Sequence, residues 1–376
     1  MRYGMNPHQT ATLVGDGPTI LGGEPSYINY LDALNASALV RDVDAATGRP
    51  AAASFKHVSP AGAALSGDLD DTSRETWGLP EPVRSPILSA YIRARDADPK
   101  SSFGDVVALS RPVDVETAEF LKGVICDALI APDFEPGALE TLRQKRGGKF
   151  LIFQSNAGPT RTRRERRDVL GVTLEQDSDD VDVVEALPPT AELSTEERDD
   201  ALLGMVTARY TQSNSVVLVR DGATVGVGAG QQNRVDCVRL AGSKSAIWWL
   251  RRHECVRALP HVDGMPRQDR LNWQIRFAGH EMTPSQLSAF AALFGDAAAT
   301  TYAERSWRDE WSRQFDGVTL VSDGYLPFRD NIEFAAEYGV SSVVEPGGST
   351  RTPEIAEATA EFGMKHTQTG LRLFHH

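Results

Sequence analysis

Cysteine is scarce in this chain of 376 residues: Cys126, Cys237 and Cys255 are the three, far apart and odd in number. They offer neither a disulfide framework nor a Cys-x-x-Cys metal knuckle, and a reducing cytoplasm is the expected compartment. Long apolar runs are missing too. No stretch of about 18 apolar residues occurs, so no transmembrane helix is expected. The opening residues, Met1-Arg2-Tyr3-Gly4-Met5-Asn6-Pro7-His8-Gln9, lack the apolar core of an export signal. Positive charge is in deficit: 39 Lys and Arg stand against 52 Asp and Glu, a net charge of −13. That balance speaks against a nucleic-acid coat or a membrane-surface protein. It leaves room for an anionic small molecule, since a site can be positive inside an acidic protein. Three catalytic signatures are also absent. There is no Gly-x-x-x-x-Gly-Lys-[Ser/Thr] phosphate loop and no Gly-x-Ser-x-Gly elbow. The His-x-Glu and Pro-Cys-x-x-Cys pair of zinc deaminases is missing as well, because His57 is followed by Val58 and Ser59. Zinc is therefore not expected.

What is present suits an ordinary globular protein, with 41% hydrophobic and 24% charged residues. The length exceeds one typical core and suggests two or more lobes. Helical spacing predicts a helix over 31–47, ended by Gly48 and Pro50. A small apolar strand follows at 51–55. Residues 65–85 are polar and acidic and read as loop. Helices are predicted over 86–95, 115–121 (with Asp114 as N-cap) and 136–146. Strands are predicted after the polar turn 101–105 and at 124–132 and 149–154. This alternation is α/β. Residues 155–193 carry a basic run at 161–167 and an acidic run at 177–182, and read as a solvated connection with an edge hairpin. The capping box Ser194-Thr195-Glu196-Glu197 opens another helix. A hairpin through Asp221-Gly222 joins strands at 216–220 and 224–230. A helix over 239–253 and two or three more within 255–315 follow. Strands at 318–321 and 341–345 flank a helix ending near Tyr338, and Thr352-Pro353 opens the last helix. The expected division is 1–160, a connection over 161–193, and 194–376.

The stretch Ala51-Ala52-Ala53-Ser54-Phe55-Lys56-His57-Val58-Ser59-Pro60 reads as strand, tight turn and helix, with Ser59 as N-cap and Pro60 at the first helical position. Lys56 and His57 would then lie beside a helix N-terminus, where negative charge is favoured. A base next to a fixed cation can activate a nucleophile and hold a developing oxyanion. The same pattern also describes a surface lysine and a hydrogen-bonded histidine at a strand end. Asp127, Asn214, Arg234, Asp323 and Asp330 recur in or after buried strands. In open α/β sheets ligands bind at strand ends, so these residues suggest one polar cleft with Lys56 and His57. Gly226-Val227-Gly228-Ala229-Gly230 is not a dinucleotide fingerprint, and close approach of another chain or a ligand is the better account.

Seven blocks carry a family resemblance: Arg2-Tyr3-Gly4-Met5-Asn6-Pro7-His8-Gln9, the Ala53–Ala64 stretch, Ser101-Ser102-Phe103-Gly104-Asp105, Tyr210-Thr211-Gln212-Ser213-Asn214-Ser215-Val216, Gly228-Ala229-Gly230-Gln231-Gln232, Pro327-Phe328-Arg329-Asp330-Asn331 and Leu371-Arg372-Leu373-Phe374-His375-His376. In this order they resemble the transformylase domain of the bifunctional purine-synthesis proteins that combine AICAR transformylase with IMP cyclohydrolase. The resemblance spans nearly the whole chain from residue 2, so a transformylase without the cyclohydrolase domain is expected. It implies two cytidine-deaminase-like α/β/α lobes, free of zinc, and a homodimer with sites at the subunit interface. It implies formyl transfer from 10-formyltetrahydrofolate to the 5-amino group of AICAR. By the same resemblance His57 is the base, Lys56 stabilises the oxyanion or positions the formyl group, and Asn214 orients the formyl oxygen or the imidazole. Arg2, Tyr3, Gly104, Asp127, Asn214, Arg234, Tyr325 and Arg372 look like nucleotide contacts, with Arg2 and Arg372 suited to phosphate. Val235, Asp330, Ser349 and Thr350 resemble folate contacts. Thr211 and Asp323 are candidates for a structural potassium ion. Two departures stand out: Tyr325 occupies a position where the family usually has Phe, and Glu345-Pro346-Gly347-Gly348-Ser349-Thr350 differs from the common form of that loop. Two other functions remain open: a formyltransferase acting on a related amino-heterocycle nucleotide, and a non-catalytic nucleotide-binding homologue.

Overall fold

The structure is a computed structural model that describes residues 1–79, 82–155 and 164–376. In the first half β1 (Thr19–Gly22) precedes the long helix α1 (Tyr27–Thr47), and β2 (Ala51–Phe55) and β3 (Pro60–Leu65) follow. Helices α2 (Asp71–Trp77) and α3 (Pro86–Asp96) lead to β4 (Asp105–Leu109), α4 (Val115–Lys122), β5 (Cys126–Ala131), α5 (Pro136–Gln144) and β6 (Leu151–Gln154). The expected hairpin is β7 (Arg164–Val169) with β8 (Val172–Asp177), which form a separate two-stranded sheet. After the one-turn α6 (Val183–Ala186) come α7 (Thr195–Arg209), β9 (Val216–Arg220), β10 (Ala223–Gly228) and α8 (Arg234–Leu250). Five helices follow: α9 (Glu254–Arg257), α10 (Arg267–Gly279), α11 (Pro284–Phe294), α12 (Asp296–Ala303) and α13 (Ser306–Ser312). The chain ends β11 (Val318–Ser322), α14 (Asp330–Glu337), β12 (Val340–Glu345), α15 (Thr352–Glu361) and β13 (Lys365–Gln368).

Among the described residues eleven strands make one sheet in the order β1-β6-β5-β4-β2-β3-β10-β9-β11-β12-β13. Outward from the β3–β10 seam, the two sides repeat one pattern. β2 and β9 are antiparallel to the seam strands, β4 and β11 antiparallel to those, and β5, β6 and β12, β13 continue in parallel. The α/β class is as expected, with the two α/β/α lobes fused through a continuous sheet. Helices α1 and α7 cover one face and share a core: Ala36, Leu39 and Val43 with Leu203 and Val206, against Ala51, Ala53, Phe55, Val217 and Val321. Ala52, between two residues of that core, points into the opposite layer with Tyr91, Val107 and Leu129, the period-two alternation of a strand buried on both faces. The corresponding layer of the second half joins Val216, Leu218 and Leu320 to residues of α8, α14 and α15. No helix among the described residues is long and apolar enough to cross a membrane.

Several local expectations are corrected. Pro60 opens strand β3 rather than a helix. Lys56 N donates to Ser59 O at 2.9 Å and Ser59 N to Lys56 O at 3.3 Å, closing a two-residue hairpin in which Pro60 pairs with Phe55 and, past a bulge at Ala61, Gly62–Leu65 pair with Ser54–Ala51. Proline is tolerated as the first residue of a strand. Helix α2 lies inside the expected 65–85 loop; Asp70 caps it by accepting the N–H of Ser73 at 2.7 Å, and it buries Trp77. Helix α8 starts at Arg234 instead of residue 239, because Asn233 accepts the N–H of Asp236 at 2.8 Å. Residues 255–315 hold more helices than expected, around an aromatic cluster of their own that includes Phe277, Phe290, Phe294 and Tyr302. At Gly226 and Gly228 the close approach is made by α8 of the same chain. A Cβ on Gly226 would lie 2.1 Å from Ala241 O, and one on Gly228 2.4 Å from Cys237 O; α8 itself fills the space. The expected boundary at 160/161 and Arg161, Thr162 and Arg163 of the basic run lie outside the described residues. Arg164 and Arg166 of that run pair with Glu175 on the exposed hairpin.

Candidate active site

The first group of site residues gathers around the β2–β3 hairpin. His57 and Val58 are its two central residues, with φ of 55° and 58°, the left-handed pair that a two-residue hairpin needs and that Asn-Gly supplies more easily. The tip is held from α1: Asp32 Oδ1 accepts the N–H of Val58 at 2.6 Å. Asp32 is 5% exposed. Burial raises its pKa above the usual carboxylate value, against the pull of the Val58 and His57 N–H groups and of the His57 charge. Lys56 Nζ donates to the carbonyl of Phe103 at 2.6 Å, while His57 is exposed. Gly104, at φ 75°, lies against Asp127, whose carboxylate pairs with Arg146 at 2.9 Å. The segment bearing Arg2 and Tyr3 docks at the start of α1, where Tyr27 N donates to Tyr3 O at 3.0 Å. Arg2 in turn donates to the Tyr3 hydroxyl at 3.0 Å.

The second group surrounds a cavity of about 510 Å³ whose lining includes Asn214, Arg234, Val235, Tyr325, Asp330 and Arg372. Arg234 organises it. One of its guanidinium nitrogens donates to Asn214 Oδ1 at 2.8 Å, and another bonds Asp323, whose side chain is fully buried. Asn214 Nδ2 donates to Gln231 O at 2.8 Å, so its amide is fixed at both ends. The C-terminal segment completes this wall: Ser213 N donates to His375 O at 2.9 Å and His375 N to Ser213 Oγ at 3.0 Å. Cys237 Sγ lies against Asn214 O at 3.2 Å, but burial pushes this thiol up to about 12, so it is no nucleophile at neutral pH.

The expected single cleft is thus two groups within one chain. Both lie along the same sheet edge, where β2, β10, β11 and β12 end and β3, β4, β5 and β9 begin. Lys56 and Asn214 are three strand spacings apart on it, about 14 Å. The one ladder pair between β3 and β10 is Ala64–Ala223, at the end away from the Lys56–His57 tip. Among the described residues no hydrogen bond or ion pair joins the two groups. Ser349 and Thr350 sit in the β12–α15 loop, outside the cavity wall. That loop reaches the wall through Arg351, whose guanidinium lies 4.9 Å from the centroid of Phe328. Thr211 and Asp323, the candidates for potassium, are both tied into the protein by their own hydrogen bonds. The Thr211 hydroxyl donates to Thr207 O at 2.6 Å, and Asp323 already faces the Arg234 guanidinium, the Ser213 hydroxyl and the Ser215 N–H. Among the described residues no group of three His, Cys, Asp or Glu could hold a metal. Sequence reasoning missed Asp32, Arg146, Phe328 and Phe374. Asp32 had left a signal: a lone acid on the apolar stripe of α1.

The family model described as the AICARFT/IMPCHase bienzyme matches residues 1–244. Three relatives, each named bifunctional purine biosynthesis protein PurH, align with the whole chain. They are 31% identical in Roseobacter denitrificans, 28% in Persephonella marina and 29% in Parvibaculum lavamentivorans. The alignments cover 100% of this chain but 59%, 59% and 58% of the respective relatives. The chain therefore spans about three fifths of their length.

Proposed function

The chain belongs to the AICARFT/IMPCHase bienzyme family, and on that premise we propose that it catalyses the formyl transfer of purine biosynthesis. The donor is 10-formyltetrahydrofolate, the acceptor the 5-amino group of AICAR, and the products are FAICAR and tetrahydrofolate. The observation that carries this reading is the rigid presentation of Lys56 and His57 on a hairpin tip, at the same sheet edge as the Asn214–Arg234 cavity. The acceptor amine is conjugated to a carboxamide-bearing imidazole and is a poor nucleophile. His57 takes its proton as the nitrogen attacks the formyl carbon. Lys56 stabilises the oxyanion that forms, and Asn214 orients the formyl oxygen or the imidazole. The carbon–nitrogen bond to the donor then breaks, and the proton passes to the departing folate nitrogen. Arg2 and Arg372 bind phosphate, Tyr3, Gly104, Asp127, Arg234 and Tyr325 hold the rest of the nucleotide, and Val235, Asp330, Ser349 and Thr350 face the folate.

The working unit in this proposal is a homodimer. Lys56 Nζ is held to the Phe103 carbonyl on the β4 side, away from β9, and Asn214 to Gln231 and Arg234, so across about 14 Å of sheet the two side chains as placed do not converge on one formyl group. Arg2 and Arg372 are divided between the same two groups. A second copy of the chain that brings its hairpin tip to the neighbour's cavity removes the gap.

The direct test mixes the protein with AICAR and 10-formyltetrahydrofolate and follows tetrahydrofolate release. Absence of turnover by well-folded dimer would overturn the proposal. Tyr325 favours one alternative, a related amino-heterocycle nucleotide as acceptor, because its hydroxyl lies at the cavity wall; turnover with such a nucleotide and not with AICAR would establish it.

A further inference from the structure

A second cavity, of about 490 Å³, lies where α2 meets α10 and the end of α8. Its lining includes four arginines, Arg251, Arg257, Arg267 and Arg270, with His261 beside them and Glu75 as the one carboxylate among the described residues. It is remote from the candidate site. Arg234 begins α8 beside the first cavity and Arg251 follows its last turn beside the second, and the 17 residues of that helix span about 25 Å.

The arginines differ in how they are satisfied. Arg257 pairs with Glu75 at 2.6 Å and Asp71 at 3.6 Å. Arg251, 2% exposed, donates to Asp96 at 2.9 Å and to the Thr76 hydroxyl at 3.2 Å, yet its buried Nε has no partner among the described residues. Among the described residues Arg270 donates only to the carbonyls of Leu259 and Pro260, at 2.6 and 2.7 Å. No carboxylate among the described residues makes a salt bridge to Arg267 or Arg270; Glu75 acts on Arg270 only as a more distant charge. These two occupy the first and fourth positions of α10, whose N-cap Pro266 supplies no side-chain bond. Cations are unfavourable at a helix N-terminus, and like charges three residues apart repel. Helix stability therefore gives no reason for them, and in a chain of net charge −13 a concentration of guanidinium groups around one cavity is unusual.

We propose that this cavity binds a small multiply charged anion of the phosphate class, held by Arg267 and Arg270 in front of Arg251 and Arg257. Guanidinium forks match phosphate oxygens bidentately, and a bound anion turns the unfavourable cations at the start of α10 into favourable ones. The site is separate from the nucleotide contacts proposed above and does not depend on them.

Inorganic pyrophosphate serves as the probe, titrated calorimetrically into the full chain in chloride buffer. The Arg2→Ala/Arg372→Ala variant removes the proposed substrate-phosphate contacts and should retain pyrophosphate binding. Adding Arg267→Gln and Arg270→Gln should weaken that binding at least tenfold, while the thermal midpoint without anion stays level or rises, since two ill-placed cations are gone. Pyrophosphate should raise the midpoint of the Arg2→Ala/Arg372→Ala protein and not that of the fourfold variant. The proposal is overturned if the Arg2→Ala/Arg372→Ala protein binds no pyrophosphate, or if the glutamine substitutions leave its binding unchanged.

Discussion

Asp32, buried on α1, accepts the backbone N–H of Val58 at 2.6 Å and thereby fixes the hairpin tip that presents Lys56 and His57. The tip needs fixing, because His57 and Val58 both have φ above 50° and a β-branched residue there is disfavoured. Such conformations cost about 1–3 kcal/mol each and persist only where the surroundings over-determine them. Asp32→Ala leaves the Val58 N–H without its acceptor and should lower stability by about 1–3 kcal/mol. Asp32→Asn keeps an acceptor oxygen and should recover most of that loss. Formyl transfer by the alanine variant should fall along with its urea midpoint; normal turnover would show that the anchor is dispensable.

For His57, the expectation separates binding from chemistry. His57 is exposed at the tip and contributes nothing to the core, so His57→Ala should fold normally. It should bind the nucleotide nearly as well as the parent protein and turn over roughly 10²-fold more slowly. Calorimetric nucleotide titration beside a tetrahydrofolate-release assay makes the comparison. Near-normal turnover would remove His57 as the base.

Much of the fold was legible because local signals and tertiary structure agree. Gly48 ends α1, Asp114 caps α4, the Ser194–Glu197 box opens α7 and Asp221-Gly222 turns β9 into β10. The errors came where one pattern serves two structures. Ser-Pro after a small-residue strand suits a helix start and equally a strand start, and only the partner Ala51–Ala53 decides. The Gly226–Gly230 run showed a need for close approach but not that α8 makes it. Lys56, His57, Asp127, Asn214, Arg234 and Asp330 stand out by residue type at strand ends, whereas Arg2, Tyr3, Gly104, Tyr325, Arg372, Val235, Ser349 and Thr350 are candidates only through the family resemblance. Their division into two groups was not visible, since it depends on strand order across the β3–β10 seam.

Asp200 gives a pH test free of the active site. It lies 4% exposed on α7 and accepts the N–H of Gly222; burial is the main reason its pKa rises to about 7 from 3.8. In the unfolded chain the acid ionises near its ordinary value, while the folded protein holds the proton longer. This group therefore costs no stability below about pH 4, and its cost grows as pH rises toward 7, reaching on the order of a few kcal/mol. Asp200→Asn keeps an acceptor for Gly222 and cannot ionise. Its urea midpoint should match the parent at pH 4 and exceed it at pH 8. An equal difference at both pH values would mean that the Asp200 charge is not the cause.

The glycines of the 226–230 run should respond unequally to alanine. At Gly226 the added Cβ meets the Ala241 carbonyl at 2.1 Å, a backbone atom that cannot step aside without moving α8. Overpacking of this kind costs about 1–3 kcal/mol or more. Gly230 has open space around its Cβ position and φ of 66°, so Gly230→Ala should cost about 1 kcal/mol from backbone conformation alone. Because α8 carries Arg234 into the cavity, Gly226→Ala should also weaken nucleotide binding. Melting curves with and without nucleotide test both effects.

Tyr325 decides between acceptors. It lines the cavity and is 48% exposed, and its hydroxyl has no hydrogen-bond partner among the described residues. If AICAR is the acceptor and the ring alone matters, Tyr325→Phe should leave kcat/KM within about threefold, since no ordinary hydrogen bond, worth about 0.5–1.5 kcal/mol, is lost. If the hydroxyl reads a different heterocycle, the substitution should spare AICAR and reduce turnover of that nucleotide about tenfold. Measuring kcat/KM for both proteins across a set of amino-heterocycle nucleotides separates the outcomes. A tenfold loss with AICAR itself would show that the hydroxyl is a direct contact to that substrate.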